Sequence, residues 1–307
     1  MLRTRATEDA EMRSATLRLA TRGSVLALTQ ARYVADLLGG AELVEASSDG
    51  EPGDKSRFVR GVERALLAGE AEIGVHSAKD LPGEMPAGLE IAAVPKREDP
   101  ADVWIGVGDS LDAVPEGARV GTASLRRRAQ LLAARPDLQV EELHGNVDTR
   151  LRKLAGGELD AIVLAAAGLR RLRREEEIGF RLPSEQMVPA AGQGALALQV
   201  RAEDTVANQA AMDVNDLRAM RELTAERTVV TLLEATCATP LGVHAQADGT
   251  EMTIDAFVGL PDGSEWLRDR IEASADEPSL AGAELAQRLL NAGARDLLDR
   301  AEADGTK

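Results

Sequence analysis

An apolar run that begins at Ile73 is followed by four polar side chains within five consecutive positions. These side chains can take part in ionic or acid–base chemistry. They are His76, Ser77, Lys79 and Asp80. Open α/β folds place their reactive groups at the carboxyl ends of strands, so this run is typical of a functional site. The alternative is a charged turn in which Lys79 and Asp80 are simply solvated, since exposed ion pairs are common in proteins.

Arginines stand beside small polar side chains at three predicted strand-to-helix junctions. The residues at these junctions are Arg22 and Ser24, then Thr122, Ser124, Arg126 and Arg127, and finally Gly145, Asn146 and Arg150. Helix N-termini and the arginine fork both bind carboxylates. The sequence has neither a phosphate-binding lysine loop nor a G-x-G-x-x-G pattern, so a carboxylate ligand is favoured over a nucleotide. Ordinary helix caps with surface arginines are the alternative.

Cys237 is the single cysteine of the chain and is predicted to lie in a loop between a helix and a strand. A lone cysteine commonly acts as a small buried apolar residue. In an accessible loop, its thiolate could instead attack an electrophilic methylene group and leave a stable thioether. One cysteine with the scattered His76, His144 and His244 gives no ligand spacing, so no metal site is predicted and His244 is expected to be structural.

Length and composition narrow the class of protein. A chain of 307 residues can form two or three domains, and a net charge of −16 argues against binding to nucleic acid. No apolar run is long enough to cross a bilayer, and residues 1–16 lack the apolar stretch of a signal peptide. We predict that these residues form a disordered extension, in which Met12 is an alternative start. The lone cysteine excludes an internal disulfide and fits the reducing cytoplasm.

The balance of charge adds a second inference. Acidic residues outnumber basic ones by 52 to 36, and aromatic residues make up 2% of the chain. This bias favours an organism adapted to salt, whose proteins stay dissolved through carboxylate-rich surfaces. In so acidic a chain, clustered arginines are expected to face an anion.

The elements that must position these residues follow an alternating pattern. Short apolar strands alternate with helices from about residue 16 to residue 200, which predicts a parallel α/β architecture. Segments 96–100 and 189–194 have the composition of crossovers between two lobes. The strands are predicted over 17–20, 72–75, 89–94, 118–121, 138–143 and 161–165, and the helices over 24–38, 58–68, 124–134 and 146–155.

The last third of the chain has a different character. A helix is predicted over 216–234, and turns at Asp248 and Asp262 separate strands with alternating polarity. A final helix is predicted over 280–301. This part is expected to form a small separate α+β domain.

Taken together and in order, the motifs resemble the hydroxymethylbilane synthase family, also called porphobilinogen deaminase. The resemblance runs from about residue 17 to the end of the chain. Each motif is weak alone, but the ordered set at nearly the family's spacing is very specific. The matching segments are 19–24, 75–82, 97–100, 121–127, 145–151 and 192–195, together with Cys237, Pro240 and Gly242.

The resemblance implies a particular architecture. It implies two α/β lobes like those of a periplasmic binding protein, with the active-site cleft between them. A small C-terminal α+β domain carries the cofactor cysteine. The implied domains are residues 17–96 with 195–213, residues 97–194, and residues 217–307. The protein is expected to be a monomer in the cytoplasm.

The resemblance also implies a reaction. A dipyrromethane cofactor, built from two porphobilinogen units, is attached to Cys237 through a thioether. Four porphobilinogen molecules are then joined head to tail with loss of ammonia, and water releases hydroxymethylbilane for haem and other tetrapyrroles. The resemblance gives Asp80 the catalytic role, in which it stabilises an azafulvene-like cation through the pyrrole N–H groups and assists proton transfer.

The remaining site residues follow from the acetate and propionate groups of each pyrrole, which call for many cationic partners. The implied cofactor-binding residues are Ser77, Lys79, Thr122, Ser124, Arg126, Arg127, Gly145 and Asn146. The implied substrate-binding residues are Arg22, Ser24, Arg150, Arg171 and Gln193.

Two positions depart from the family pattern. His144 stands where the family usually has arginine, which weakens one carboxylate contact or makes it dependent on pH. The alternative is a histidine that faces solvent or a helix cap. Segment 46–54 is shorter than the family's mobile segment, which affects the rate of turnover more than the type of reaction.

Two other functions remain open on the sequence alone. A non-catalytic protein whose lobes close over a carboxylate ligand would explain the arginines, but it gives Asp80 and Cys237 no role. A folded but inactive family member would explain His144 and the short segment. An aldehyde reagent for pyrroles distinguishes these alternatives, because colour means that a pyrrole cofactor is bound.

Overall fold

The computed structural model describes residues 17–47, 56–236 and 239–305. Predictions that concern residues 1–16, residues 48–54 and Cys237 lie outside the described residues. The chain divides into two units. Unit 1 comprises Met1–His76, Met85–Pro95 and Leu196–Asn215, and unit 2 comprises Ser77–Glu84, Lys96–Ala195 and Asp216–Lys307.

Strands and helices alternate through most of the described chain. The strands are β1 (Arg18–Thr21), β2 (Glu42–Glu45), β3 (Ile73–Ser77), β4 (Leu89–Ala93), β5 (Asp102–Gly106), β6 (Arg119–Gly121), β7 (Gln139–Glu141), β8 (Ala161–Ala165), β9 (Phe180–Leu182), β10 (Leu196–Arg201), β11 (Leu241–Asp248), β12 (Glu251–Gly259) and β13 (Trp266–Ser274). The helices are α1 (Val25–Leu37), α2 (Ser56–Leu67), α3 (Leu125–Ala134), α4 (Val147–Ala155), α5 (Ala166–Arg171), α6 (Thr205–Met212), α7 (Leu217–Leu232), α8 (Pro278–Asn291) and α9 (Ala294–Gly305), with 3-10 turns at Ala78–Asp80 and Glu175–Glu177.

Unit 1 is built on a five-stranded sheet in the order β2–β1–β3–β10–β4. β1 runs parallel to β2 and β3, and β4 runs antiparallel to β10. Neighbouring residues on a strand point to opposite faces, and Leu19 and Ala20 of β1 accordingly belong to two different buried clusters. Leu19 shares its cluster with Val34 of α1, and Ala20 shares the other with Leu66 of α2. Helices therefore cover both faces of the sheet.

Unit 2 repeats this plan in a second five-stranded sheet, in the order β7–β6–β8–β5–β9. β6 is parallel to β7 and β8, whereas β5 is antiparallel to β8 and β9. The adjacent Val103 and Trp104 of β5 belong to clusters on opposite faces, so this sheet too is buried on both sides. Sequence patterns did not predict β5, which follows directly after the segment that was expected to be a crossover.

The C-terminal part of unit 2 is an antiparallel meander of β11, β12 and β13 with helices packed on it. The predicted hairpins are confirmed: Asp248 pairs with Glu251, and Gly259 pairs with Trp266. The prediction of one final helix over 280–301 is wrong, because α8 ends before Gly293 and α9 begins after it. Gly293 has a φ of 98°, in the left-handed region that interrupts a helix.

The α/β class, with two sheet-containing lobes and a small C-terminal domain, is confirmed. Two of the points at which the chain passes between the units, Pro95 to Lys96 and Ala195 to Leu196, lie close to the expected crossovers. The division into three domains with the boundaries given above stays a prediction. Within the described ranges, no helix has the length and apolar character needed to cross a membrane, and no group of His, Cys, Asp or Glu is arranged to hold a metal ion.

Candidate active site

A short turn carries the predicted catalytic residue. Strand β3 ends at Ser77, and the 3-10 turn Ala78–Asp80 follows. Ala78 is buried, and its N–H donates to the carbonyl oxygen of Ala195 at 3.0 Å. Gly192, with a φ of 71°, approaches this turn so closely that a Cβ atom would lie 2.9 Å from the Ala78 Cβ. The turn is therefore fixed at its buried residue, while Lys79 is half-buried and Asp80 is exposed.

Asp102, the first residue of β5, is the centre of a buried ion cluster. Its Oδ2 accepts from Arg126 Nη1 at 2.7 Å, and its Oδ1 accepts from Arg127 Nε at 2.9 Å. Arg127 Nη2 also lies 2.8 Å from Oδ1. Asp102 has no exposed surface, and the two arginines are 4% and 6% exposed. Two predicted cofactor-binding residues are thus brought together, with a protein carboxylate between them.

Gln193 connects this cluster to the turn that bears Asp80. The Gln193 side-chain N–H₂ donates to Asp102 Oδ1 at 3.1 Å and to the carbonyl oxygen of Pro100 at 2.7 Å. Its Oε1 accepts from Lys79 Nζ at 3.3 Å. Lys79, Gln193, Arg126 and Arg127 therefore form one network around Asp102, which we call the Asp102 cluster.

The Asp102 cluster carries more positive than negative charge, because Lys79, Arg126 and Arg127 accompany a single carboxylate. Burial alone would raise the pKa of Asp102, but the two guanidinium groups more than offset this and hold that pKa well below its usual range. Burial, with a smaller contribution from Arg127, lowers the pKa of Lys79 to about 8. Lys79 is therefore mostly protonated at neutral pH, and the excess of cations suits a carboxylate ligand.

Helix α3 places both arginines in its first turn. Ser124 caps the helix, and its Oγ accepts from the Arg127 N–H at 3.4 Å. Arg126 Nη1 also donates to the Val188 carbonyl oxygen at 2.8 Å, and Arg127 Nη1 donates to that of Val163 at 2.9 Å. Among the residues that the structure describes, Arg126 Nε is buried without a hydrogen-bond partner. This Nε–H group therefore remains available as a hydrogen-bond donor.

One small polar side chain at each of the three junctions serves as a helix cap. Ser24 Oγ accepts from the Ala27 N–H at 3.2 Å, and Asn146 Oδ1 accepts from the Thr149 N–H at 2.9 Å. With Ser124, all three helices begin at a side-chain cap, as the capping alternative predicts. The buried Thr122 supports the second junction, since its Oγ1 accepts from the Ser124 N–H at 3.2 Å.

Two further arginines of the predicted set lie in unit 2. Arg150 is half-buried and donates from Nε to the Gly145 carbonyl oxygen at 2.9 Å. Burial and the nearby charge of Arg127 lower the pKa of Arg150 to about 10, so the two arginines share one cationic region. Arg171 Nη2 donates to the Gly194 carbonyl oxygen at 2.7 Å.

Two predicted site residues belong to the other unit, and a third lies outside the residues that the structure describes. Arg22 and Ser24 belong to unit 1, so their approach to the residues of unit 2 stays a prediction. Cys237 falls in sequence between α7 and β11, outside the described residues.

His144 is exposed rather than enclosed by the site. Its side chain is 67% accessible, and its Nε2 lies 2.7 Å from the Glu142 carboxylate, which is itself 71% accessible. A histidine that faces solvent beside an acidic neighbour agrees with the alternative interpretation given above. Both interpretations of His144 stay predictions, and its exposure favours the one in which it faces solvent.

Sequence patterns missed Asp102 and a second buried ion pair. Arg97, in a segment expected to be a crossover, donates to Glu226 Oε1 at 2.8 Å and to the Gln193 carbonyl oxygen at 3.0 Å. Glu226 also accepts from the Gly192 N–H at 2.6 Å and lies 3.3 Å from His244 Nδ1. The structural role expected of His244 fits this network. One carboxylate among many acidic residues gives no sequence signal for such burial.

Unit 2 is thus an α/β unit that combines an exposed carboxylate, Asp80, with a cluster of mostly buried cations. Residues 17–209 match the family model "Porphobilinogen deaminase, dipyromethane cofactor binding domain", and residues 220–291 match the model "Porphobilinogen deaminase, C-terminal domain". The chain belongs to the porphobilinogen deaminase family.

Named relatives cover nearly the whole chain. A porphobilinogen deaminase of Syntrophus aciditrophicus is 43% identical over 93% of this chain and 99% of its own length. Those of Campylobacter concisus and Brevibacillus brevis are 41% and 43% identical over 93% and 92% of this chain, and over 98% and 96% of their own lengths. The predicted family, transferase activity and dipyrromethane cofactor are confirmed. The chain is an enzyme of tetrapyrrole biosynthesis that makes hydroxymethylbilane.

Similarity to solved structures is weaker. A methionine-binding lipoprotein of Bacillus subtilis has a TM-score of 0.42 at 14% identity, and covers 65% of this chain and 89% of its own. A TRAP periplasmic solute binding protein of Desulfovibrio salexigens has a TM-score of 0.41 at 12% identity, over 65% and 72%. The fold class given above rests instead on the observed sheets and on the family models.

Proposed function

We propose that Asp80 is the catalytic carboxylate of the condensation, that Cys237 carries the dipyrromethane, and that the Asp102 cluster holds pyrrole carboxylates. One observation carries this proposal. The exposed Asp80 and the half-buried Lys79 are neighbours on one fixed turn, and Lys79 belongs to a cluster with an excess of positive charge. An acid for the reacting centre thus adjoins a site for the charged substituents of a pyrrole.

The chemistry of the donors fits the dipyrromethane. Its acetate and propionate groups need cationic hydrogen-bond donors, and buried charge-assisted bonds of this kind are strong. Lys79 and the uncommitted Nε of Arg126 meet that need. When bound, the cofactor supplies the pyrrole carbon to which the next porphobilinogen is joined. The proposed cofactor-binding residues are Ser77, Lys79, Thr122, Ser124, Arg126, Arg127, Gly145 and Asn146.

Asp80 has the exposure that its proposed role requires. A carboxylate that reaches into a site from a fixed turn can accept hydrogen bonds from pyrrole N–H groups. It can stabilise the positive charge that develops as ammonia leaves, without any reorganisation of the backbone. The same group can take up or return a proton during bond formation. Ala78 holds the turn through its bond to Ala195, so Asp80 stays in a constant position.

The growing chain requires further cationic contacts. We propose that Arg22, Ser24, Arg150, Arg171 and Gln193 bind porphobilinogen and the lengthening product. The protein is proposed to act as a monomer in the cytoplasm, without nucleic acid or membrane. A reducing compartment keeps the Cys237 thiol available for the thioether.

Intact mass under denaturing conditions tests the proposal. The parent protein should exceed its sequence mass by one dipyrromethane and should give colour with an aldehyde reagent for pyrroles. Cys237→Ala should lose both the added mass and the colour, because no other thiol is present. Cys237→Ser is the matched control for side-chain size. An unmodified mass in fully active parent protein would exclude the thioether.

A further inference from the structure

Asp102 is a buried charge whose partners are all polar. It is the first residue of strand β5, it has no exposed surface, and its carboxylate contacts Arg126, Arg127 and Gln193. Buried ion pairs rarely stabilise a protein more than well-packed apolar residues of similar volume would. Stability alone therefore does not account for a carboxylate at this position.

The Gln193 amide passes the influence of Asp102 on to Lys79. Both N–H bonds of the amide are taken by acceptors, the Asp102 carboxylate and the Pro100 carbonyl oxygen. Its carbonyl oxygen is thereby directed at Lys79 Nζ. Without the Asp102 carboxylate, one of the two acceptors that set this orientation is lost.

We propose that Asp102 is a positioning residue, which fixes Arg126 and Arg127 directly and Lys79 through Gln193, so that the three cations meet the pyrrole carboxylates in one geometry. This inference rests on the proposed carboxylate-binding role of the Asp102 cluster. Asp102 is thereby added to the residues of the site, although it does not itself contact a ligand.

The charges that face Lys79 provide a measurable consequence. Arg127 and Arg126 of α3 lower its pKa, whereas Asp80 of the same turn and Asp102 of β5 raise it. Gln193, from the segment that packs on the turn, is neutral. Loss of the Asp102 charge removes one of the two groups that keep Lys79 protonated. The pKa of Lys79 then falls below its value of about 8 in the parent protein.

The experiment compares the full-length parent with Asp102→Asn, which keeps the size and removes the charge. The loaded fraction is read from intact mass, folding from the thermal midpoint, and the rate of hydroxymethylbilane formation is taken per loaded molecule. We expect the rate at neutral pH to fall about 10- to 100-fold, the scale of a small misplacement of binding groups. The pH above which activity declines should move to a lower value than in the parent.

Asp99→Asn is the matched control. Asp99 is also nearly buried and pairs with two arginines, Arg181 at 2.6 Å and Arg170 at 3.2 Å, but these lie outside the Asp102 cluster. This variant removes the charge of a nearly buried aspartate whose arginine partners are more exposed than Arg126 and Arg127, and it should keep the alkaline limit of the parent. If Asp99→Asn shifted that limit as much as Asp102→Asn does, the positioning role would be excluded.

Gln193→Leu covers the case in which Asp102→Asn does not fold. It leaves both arginines paired with Asp102 and cuts the link to Lys79, so it should lower the rate and weaken the binding of porphobilinogen. A parental rate and KM in Gln193→Leu would contradict the inference. An Asp102→Asn variant that carries dipyrromethane and keeps the rate and the alkaline pH limit of the parent would also contradict the inference. That result would leave the proposed function intact. A parent without dipyrromethane would overturn both.

Discussion

Asp80 combines exposure with a fixed backbone, and this combination makes its role separable from folding. The side chain is exposed, while the neighbouring Ala78 anchors the turn. Substitutions at exposed positions away from special features usually change stability little. A loss of activity in Asp80 variants can therefore be assigned to chemistry.

We predict that Asp80→Ala folds and carries dipyrromethane but loses most of its turnover. A charge that stabilises the transition state is removed, so kcat and kcat/KM should fall together by a factor of about 10² or more. Asp80→Glu, which keeps the carboxylate, should retain more activity than Asp80→Ala. Steady-state rates measure the turnover of the two variants and the parent. Thermal midpoints show whether each variant is folded. Turnover near the parental level in Asp80→Ala would move the catalytic role to another residue.

His144 is predicted to have no part in the pH dependence of the reaction. It is 67% accessible and pairs with the exposed Glu142. His144→Arg should therefore leave the affinity for porphobilinogen between about pH 6 and pH 8 unchanged. KM is measured across this interval for both proteins. A flatter pH profile in His144→Arg would instead show that the histidine contacts a carboxylate of the ligand.

At the scale of elements, a buried polar chain joins α2, β3 and β10 inside unit 1. His76 Nε2 donates to Gln199 Oε1 at 2.9 Å, and the Gln199 side-chain N–H₂ donates to Glu63 Oε1 at 3.4 Å. Burial raises the pKa of Glu63. Burial, with a smaller contribution from the charge of Arg22, lowers the pKa of His76 to about 4. The strand is thus held by a histidine that stays neutral.

This buried histidine predicts a pH-dependent stability. An unfolded histidine takes up its proton near pH 6.5, whereas His76 in the folded chain does so only near pH 4. The stability due to neutral His76 is therefore complete above about pH 6.5 and is lost as pH falls toward about 4, by about 3 kcal/mol in all. Urea unfolding at several pH values measures this. His76→Gln should reduce the slope, and the exposed His144→Gln should not.

At the scale of the whole molecule, Glu226 of α7 joins three segments of unit 2 that are far apart in sequence. It pairs with Arg97 at 2.8 Å, accepts from the Gly192 N–H at 2.6 Å, and accepts from the Ala245 N–H of β11 at 2.8 Å. Glu226 has no exposed surface. The Glu226 carboxylate therefore connects the C-terminal domain to the segment that precedes β5 and to the segment that follows β9.

We predict that Glu226→Gln destabilises the protein by about 3–5 kcal/mol, because it leaves the buried Arg97 without its main counter-charge. The midpoint of chemical unfolding measures the loss. Glu265→Gln is the control, since Glu265 pairs with Arg300 at 2.6 Å but is 56% exposed, and its loss should hardly change the midpoint. Equal midpoints for Glu226→Gln and the parent would mean that the network contributes nothing to stability.

The sequence by itself determined the local features of this protein and its family. Alternating apolar strands and helices predicted two α/β lobes, and Ser24, Ser124 and Asn146 proved to be the caps of their helices. The sequence also predicted that Lys79 and Asp80 follow directly after the end of a strand. Such features depend on residues within a few positions of one another, so periodicity and capping rules suffice to find them.

Only the tertiary structure decided what the buried charges do. Asp102 meets Arg126 across 24 positions and Gln193 across 91, and Arg97 meets Glu226 across 129. The sequence predicted that clustered arginines face an anion, but it did not indicate that Asp102 would be one. Pairings of this kind follow from which strands become neighbours in a sheet, and no local pattern specifies that order.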